Sequence, residues 1–362
     1  MRVLIAPDKF AGTLTAVEAA EAIATGWSRR APGDELDLAP MADGGPGFVD
    51  VLHAALGGDL LAVTVRGPHG SPVPATVLVV DDTAYVESSQ ACGLHLTDGD
   101  VESASTAGVG ELVLGAVAAG ARRVVVGLGG SGTNDGGAGV LAALGAASDG
   151  ALDRGAAGLE PVTRVDLGPA RDRLVGVELV VASDVDSPLT GMFGATRTFG
   201  PQKGVAEDRV AVVDGWLEAF AAATDRRTSL EKGAGAAGGI GFAMLLLGAT
   251  REPGIELVAS HVRLGERAGQ ADLVLTGEGA FDFSSRSGKV PYGVAAVAAG
   301  ALRPCVALAG RVDVGSREMR ALGIESAYSL VDLVGEERAF ADPAGALADL
   351  AERVARTWSR GR

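Results

Sequence analysis

At 362 residues the chain is long for one hydrophobic core, which makes two domains the default. Its formal charge of −15 leaves no basic face for a nucleic acid or an anionic membrane surface, so any lysine or arginine inside a polar loop stands out against the overall field. Apolar residues make up 47% of the chain and aromatics only 4%, and 54 residues are glycine, which suits an α/β protein rich in tight turns better than a β-sandwich.

Residues 2–7 (RVLIAP) read as a buried first strand that runs into the polar turn Asp8-Lys9-Phe10-Ala11-Gly12-Thr13. Thr15, with Glu18 three residues on, has the spacing of a capping box, and Val17, Ala20, Ile23, Ala24 and Trp27 form an apolar helical stripe behind it. Residues 35–40 (ELDLAP) predict a second strand, followed by Met41-Ala42-Asp43-Gly44-Gly45-Pro46-Gly47, where Pro46 is suited to open a helix. Residues 60–88 alternate in short runs broken by Gly67-Pro68-His69-Gly70 and Asp81-Asp82, the pattern of an antiparallel meander. Residues 105–118 predict a helix.

Residues 121–146, ARRVVVGLGGSGTNDGGAGVLAALGA, form a strand, a glycine-rich loop and a helix start. Glycine lets backbone amides approach a ligand and the helix end adds its own N–H groups, so phosphate is the expected guest. The loop lacks the Gly-Lys-Ser/Thr of a Walker A motif and is no clean dinucleotide fingerprint. Ser131, Thr133, Asn134 and Asp135 add side chains that turning alone does not require. Residues 147–170 read as an irregular excursion. A further strand ends in Asp184 and Asp186, and residues 194–204 (GATRTFGPQKG) form a cluster of turn formers carrying Arg197 and Lys203. A helix is expected over residues 206–223, and GAGAAGGIG (233–241) opens another. Residues 271–295 predict a strand, a polar loop with Glu278, Asp282, Arg286 and Lys289, and a helix. Strands near residues 305–310 and 327–330 and an amphipathic helix over 343–358 follow.

Cys92 and Cys305 belong to no cluster at metal-ligand spacing and read as buried free thiols. The apolar run 3–6 is too short for a signal peptide and no apolar stretch reaches about twenty residues, so a soluble cytoplasmic protein is expected. His53, His69, His95 and His261 lie outside the polar loops, which argues against a Ser-His-Asp hydrolase or a histidine-rich zinc site and leaves a carboxylate as the general base. A nicotinamide oxidoreductase is disfavoured because no GxGxxG follows the first strand. Carboxylates, lysines and glycine amides at the ends of apolar runs are the parts that phosphoryl transfer uses.

The segments IAPDKFAGTLTA, PMADGG, GLGGSGTNDGGAG, DVDSPLTG, FGPQKG, GAGAAGGIG and TGEGAFDFSSRSGK, in this order along nearly the whole chain, resemble the bacterial two-domain glycerate kinase family. The resemblance implies two three-layer α/β domains, a Rossmann-like domain built from both termini (1–66 and 287–362) and an inserted α/β domain with a mixed sheet (67–286), with the active site in the cleft between them. It implies ATP and Mg²⁺ as cofactors, glycerate or a related small hydroxy acid as acceptor, no nucleic-acid or membrane partner, and a monomer or homodimer. The matching positions imply catalytic roles for Asp8, Lys9, Asp43, Asp184, Asp282 and Lys289, nucleotide binding by Gly129, Gly130, Ser131, Thr133, Asn134, Asp135 and Lys203, and metal binding by Asp184, Glu278 and Asp282.

The chain departs from the family at Lys9 (usually serine), Ala11 (lysine), Pro46 (glutamate), Phe48 (threonine) and Ala280 (arginine). Those departures suggest a remodelled acceptor pocket, with Lys9 and Arg286 as replacement cations, and they keep a second reading in view: a divergent member that binds a metabolite or nucleotide without turnover, or a kinase for another hydroxy acid.

Overall fold

The computed structural model describes residues 1–282 and 289–359. Thirteen strands run through the described residues: β1 (Arg2–Ile5), β2 (Glu35–Leu38), β3 (Asp59–Arg66), β4 (Pro72–Val80), β5 (Thr83–Glu87), β6 (Arg123–Gly127), β7 (Ala147–Ser148), β8 (Val165–Asp166), β9 (Glu178–Ala182), β10 (Thr250–Glu252), β11 (Leu273–Phe281), β12 (Cys305–Val312) and β13 (Ser326–Ser329). The chain divides into two compact units, one of residues 1–43, 50–56 and 255–362 and one of residues 44–49 and 57–254.

The first unit holds an all-parallel five-stranded sheet in the order β13-β12-β11-β1-β2. Val3, Ile5, Leu273, Leu275, Val306 and Leu308 pack against the helices Ala16–Arg30 and Pro343–Trp358. The alternate residues Leu4, Val274 and Ala307 are buried too, so the strands are covered on both faces, as an all-parallel sheet requires. The capping box is present: the Glu18 amide donates to Thr15 Oγ1 at 3.2 Å and the Thr15 amide donates to Glu18 Oε2 at 2.9 Å. Gly26 brings this helix against the C-terminal one so closely that a Cβ there would meet the Ala348 carbonyl oxygen at 1.8 Å.

The second unit holds a six-stranded sheet in the order β10-β9-β6-β5-β4-β3. Strands β3, β4 and β5 form the expected antiparallel meander, while β5, β6, β9 and β10 run parallel. Its core joins the inward residues of these strands to the helices Ala107–Ala118 and Ile240–Leu246, and includes an edge-to-face pair, Phe220 and Phe242, 5.9 Å apart.

The division differs from the expected boundaries after residues 66 and 286. Strand β3 pairs along its whole length with β4 and so belongs to the inserted unit, and β11 is the central strand of the other sheet. Residues 194–204 are a second difference. They form a helix, Ala195–Lys203, with Pro201 inside it, bounded by Gly194 in extended conformation and Gly204 at φ 105. Gly204 supplies the left-handed stop that a residue with a Cβ resists, so glycines that read as a turn cluster are the two ends of a helix. Both cysteines are buried, and burial pushes each thiol up to about 12.

Candidate active site

Two groups of the residues singled out in the sequence are described here, one in each unit.

In the inserted unit, β6 ends at Gly127 and the chain enters the loop Leu128–Asp135, lying between β5 and β9 in the sheet. The loop is wedged between backbones. A Cβ at Gly129 would meet Gly45 Cα at 2.6 Å, and one at Gly130 would meet Pro46 Cγ at 2.7 Å. The amides of Gly129, Gly130 and Ser131 donate no hydrogen bond among the described residues. Beside them lies Lys203, the last residue of its helix, whose ammonium donates to Ser131 Oγ at 2.9 Å and to the Thr133 carbonyl at 2.8 Å. Burial lowers its pKa to about 8, so it still carries its charge at neutral pH. A buried cation beside three partnerless amides, in a protein of net charge −15, is a place for an anion.

Asn134 is buried; its amide donates to Thr196 Oγ1 at 2.9 Å, and its Oδ1 has no hydrogen-bond partner among the described residues. Asp135 is wholly enclosed. One carboxylate oxygen accepts from the Thr106 amide and hydroxyl, both at 2.9 Å, and from the Gly139 amide at 3.2 Å, and the other accepts from the Gly137 amide at 2.9 Å. Asp135 thus clasps its own loop to the starts of two helices. Desolvation raises its pKa, partly offset by these donors. Thr133 is also fully buried, and a Cβ on Gly238, which sits at φ +68, would meet the Thr133 carbonyl oxygen at 2.0 Å. Asp184, two residues past β9, is half-buried.

Glu87 was not singled out by sequence reasoning. At the end of β5, one of its oxygens accepts from the Gly47 amide at 2.9 Å and the Val49 amide at 3.4 Å, and the other accepts from Ser89 Oγ at 2.6 Å. It therefore caps the helix Phe48–Leu56 from outside and holds the Gly44–Val49 segment against the glycine loop. A carboxylate closing an apolar strand was the available signal, the same one that marked Asp43 and Asp184.

In the other unit, Asp8 follows β1. It is 6% exposed, and its amide donates to the Gly277 carbonyl at 2.8 Å. The Lys9 ammonium lies 3.6 Å from its carboxylate. Burial raises the Asp8 carboxyl from 3.8 to about 6, Lys9 works against that rise, and the nearby negative charge of Asp43 adds to it. Glu278 lies within β11 rather than in the loop after it, and is buried. Asp282 follows the strand, and the Lys289 ammonium is 3.9 Å from each of these carboxylates. Strand β11 runs for nine residues; at Gly277 the β12 backbone comes so close that a Cβ would meet the Leu308 carbonyl oxygen at 2.3 Å, and at Gly279 a Cβ would meet the Ala11 amide nitrogen at 3.2 Å.

The departures from the family pattern separate in the structure. Phe48 is fully buried against Tyr85, ring centres 6.3 Å apart, whereas Pro46 is half-buried and packs on Gly130 of the glycine loop. Ala280 stands in register with Arg311 on β12, a cation that sequence reading did not connect with it. Arg286 lies outside the described residues. Ala11 is exposed in its turn.

No group of three or more His, Cys, Asp or Glu side chains able to hold a metal ion occurs among the described residues. Mg²⁺ needs no such cage: it takes one or two carboxylates and completes its shell with water and phosphate oxygens, and Glu278 with Asp282 supplies oxygen donors of that kind. No helix among the described residues is long and apolar enough to cross a membrane.

Residues 3–359 match the model of the glycerate kinase family. An uncharacterized protein of Mycobacterium tuberculosis (strain CDC 1551 / Oshkosh) is 44% identical over 98% of this chain and 91% of its own length. A glycerate kinase of Bacillus subtilis (strain 168) is 40% identical over 91% of this chain and 90% of its own. The crystal structure of a candidate glycerate kinase 2 from Salmonella typhimurium LT2 has a TM-score of 0.81 and 35% identity, covering 99% of this chain and 98% of that one. With the match spanning both units and every motif loop described above, the chain belongs to the glycerate kinase family.

Proposed function

We propose that the protein phosphorylates glycerate, or a closely related small hydroxy acid, at the expense of ATP. The observation that carries this reading is the row of partnerless amides at Gly129, Gly130 and Ser131 beside the buried ammonium of Lys203. Acceptor oxygens of a polyphosphate satisfy those donors, and Lys203 takes up negative charge that builds toward the transition state. Asn134 borders this set with its amide held by Thr196 Oγ1, and Asp135 acts by fixing the loop.

Asp8 is the general base of the proposal. With its carboxyl near 6 it is ionised at neutral pH yet basic enough to accept the acceptor hydroxyl's proton as the oxygen attacks the γ-phosphorus. Asp43 holds that basicity up, while Lys9 offsets charge when Asp8 is ionised and, in this reading, pairs with the acceptor's carboxylate. Glu278 and Asp282 would hold Mg²⁺, which when bound neutralises phosphate charge. Lys289 balances these two carboxylates while they are ionised.

The test is ADP formation from ATP and Mg²⁺ across glycerate and related hydroxy acids, with Lys203→Met as the control. Stimulation by glycerate that the variant loses supports the reading. Absence of stimulation by every acid tested rejects it and leaves a binding protein.

A further inference from the structure

Lys203 and the Gly129–Ser131 segment line a cavity of about 200 Å³ within the inserted unit. The rest of its lining has a different chemistry. The apolar lining is Leu94, Leu128, Val185, Phe199 and Ala237, with Gln202 the one amide side chain among the lining residues. Leu94 is 48% exposed although it follows directly on the buried Cys92-Gly93 pair, and Phe199 is only half-buried on its helix, so both present apolar surface that folding has not used. The short helix carrying Leu94 is held in place by the glycine loop itself, through the Leu94 amide donating to the Gly130 carbonyl at 2.9 Å and the Gly132 amide donating to the Cys92 carbonyl at 2.8 Å. Apolar wall and anion-binding amides therefore form one local construction.

A three-carbon hydroxy acid has no apolar face to set against such walls. A purine ring has two, and its volume is within that of the cavity. We propose that the apolar part of this cavity is the slot for the purine base of the phosphate donor, with the ring between Leu94 on one side and Val185 and Phe199 on the other, and the phosphates leading away over Ser131 toward Lys203. The slot holds the ring by its faces, through dispersion and the exclusion of water, and Gln202 is the side chain that reads its edge. This inference rests on the nucleotide-dependent reading above and adds to it where the base lies.

The experiment titrates the full-length protein calorimetrically with two probes, ADP and inorganic tripolyphosphate, for the native chain and for Leu94→Ala and Phe199→Ala. Leu94 is 48% exposed, so its truncation should leave the fold intact, and circular dichroism of both variants is the check. The expected result is that each variant weakens ADP by about tenfold while tripolyphosphate binds as it does to the native chain. If both probes bind the native chain and neither variant changes ADP affinity, the base lies elsewhere and the slot is refuted while the phosphate site stands. If both probes lose affinity in parallel in both variants, the walls merely support the loop and the slot is likewise refuted. If neither probe binds the native chain, the nucleotide-dependent reading itself fails and takes the slot with it.

Discussion

Ionising Asp8 inside the folded protein is costly, and replacing it with asparagine exposes that cost. Its carboxyl sits about two pH units above the ordinary 3.8, and at about 1.4 kcal/mol per unit the fold loses about 3 kcal/mol when the group ionises. The sign follows from which state holds the proton. Below about pH 4 both folded and unfolded chains keep it, and Asp8→Asn changes stability little. Between about pH 4 and pH 6 the unfolded chain ionises while the folded one does not, so the native protein loses stability relative to the variant. Above about pH 6 the gap stays constant, with the variant more stable by about 3 kcal/mol. Urea unfolding at a series of pH values measures the gap, and tryptophan fluorescence can be confined to the relevant unit. Of the three tryptophans, Trp27 and Trp358 lie in the unit that contains Asp8, so a Trp216→Phe background reports on that unit alone. The same carboxylate as base implies that kcat/KM falls about tenfold per pH unit below pH 6, and that Asp8→Asn removes this limb together with at least a hundredfold of the rate. A gap that stays flat from pH 4 to pH 7, or opens with the native protein as the more stable, refutes the argument that burial dominates at Asp8.

Other perturbations address the second unit. Because the Lys203 ammonium loses its proton near pH 8, ADP affinity measured by calorimetry should fall by up to tenfold per pH unit above that point, and Lys203→Arg, whose charge persists, should flatten the profile even where its absolute affinity is lower. Glu87→Ala leaves the Gly47 and Val49 amides without their acceptor and should lower kcat at least tenfold. Glu87→Gln, which keeps one carbonyl oxygen, should recover part of the loss, and equal damage by the two variants in kinetic assays would remove the positioning role. Gly238→Ala forces a Cβ onto the Thr133 carbonyl at a left-handed φ and should cost about 2–4 kcal/mol by denaturant unfolding, with loss of ADP binding. Gly26→Ala, in the unit that carries none of the proposed ADP contacts, should destabilise its own unit by a similar amount through the Ala348 backbone while leaving ADP affinity unchanged.

The βα alternation, the meander of β3 to β5, the capping box at Thr15 and the buried cysteines were legible because each is a local pattern: a period, a spacing or a burial preference. The boundaries of the units were not, since a change of strand chemistry near residue 60 says nothing about which sheet a strand joins, and β3 is committed by its pairing with β4. Polar residues ending apolar runs come to lie at strand ends, but their spacing does not tell which way each side chain turns. Asp135 and Asn134 are neighbours in one motif; the first clasps backbone amides and the second leaves an acceptor without a partner. Glu87 went unnoticed because its work is done on a segment some forty residues earlier in the chain. Nor does sequence separate the departures by burial: Phe48 packs on Tyr85 in the interior, while Pro46 lies half-buried on Gly130.

The order β13-β12-β11-β1-β2 has a consequence for how the chain is made. Strand β1 sits between β2, which leaves the ribosome soon after it, and β11, which is synthesised roughly 230 residues later, so at ~5–20 residues per second the N-terminal βαβ segment waits on the order of 10–50 s for its second neighbour. During that interval one edge of β1 has no neighbour, and the apolar stripe of helix Ala16–Arg30 has only the short strands β1 and β2 to pack against until the last helix of the chain is made. The inserted unit can close its own six-stranded sheet as soon as β10 emerges, before the surrounding unit is complete. Slow synthesis or truncation after residue 254 should therefore yield a folded insert flanked by an N-terminal segment open to chaperones and proteases, making this early strand edge the vulnerable stage of the protein's biogenesis.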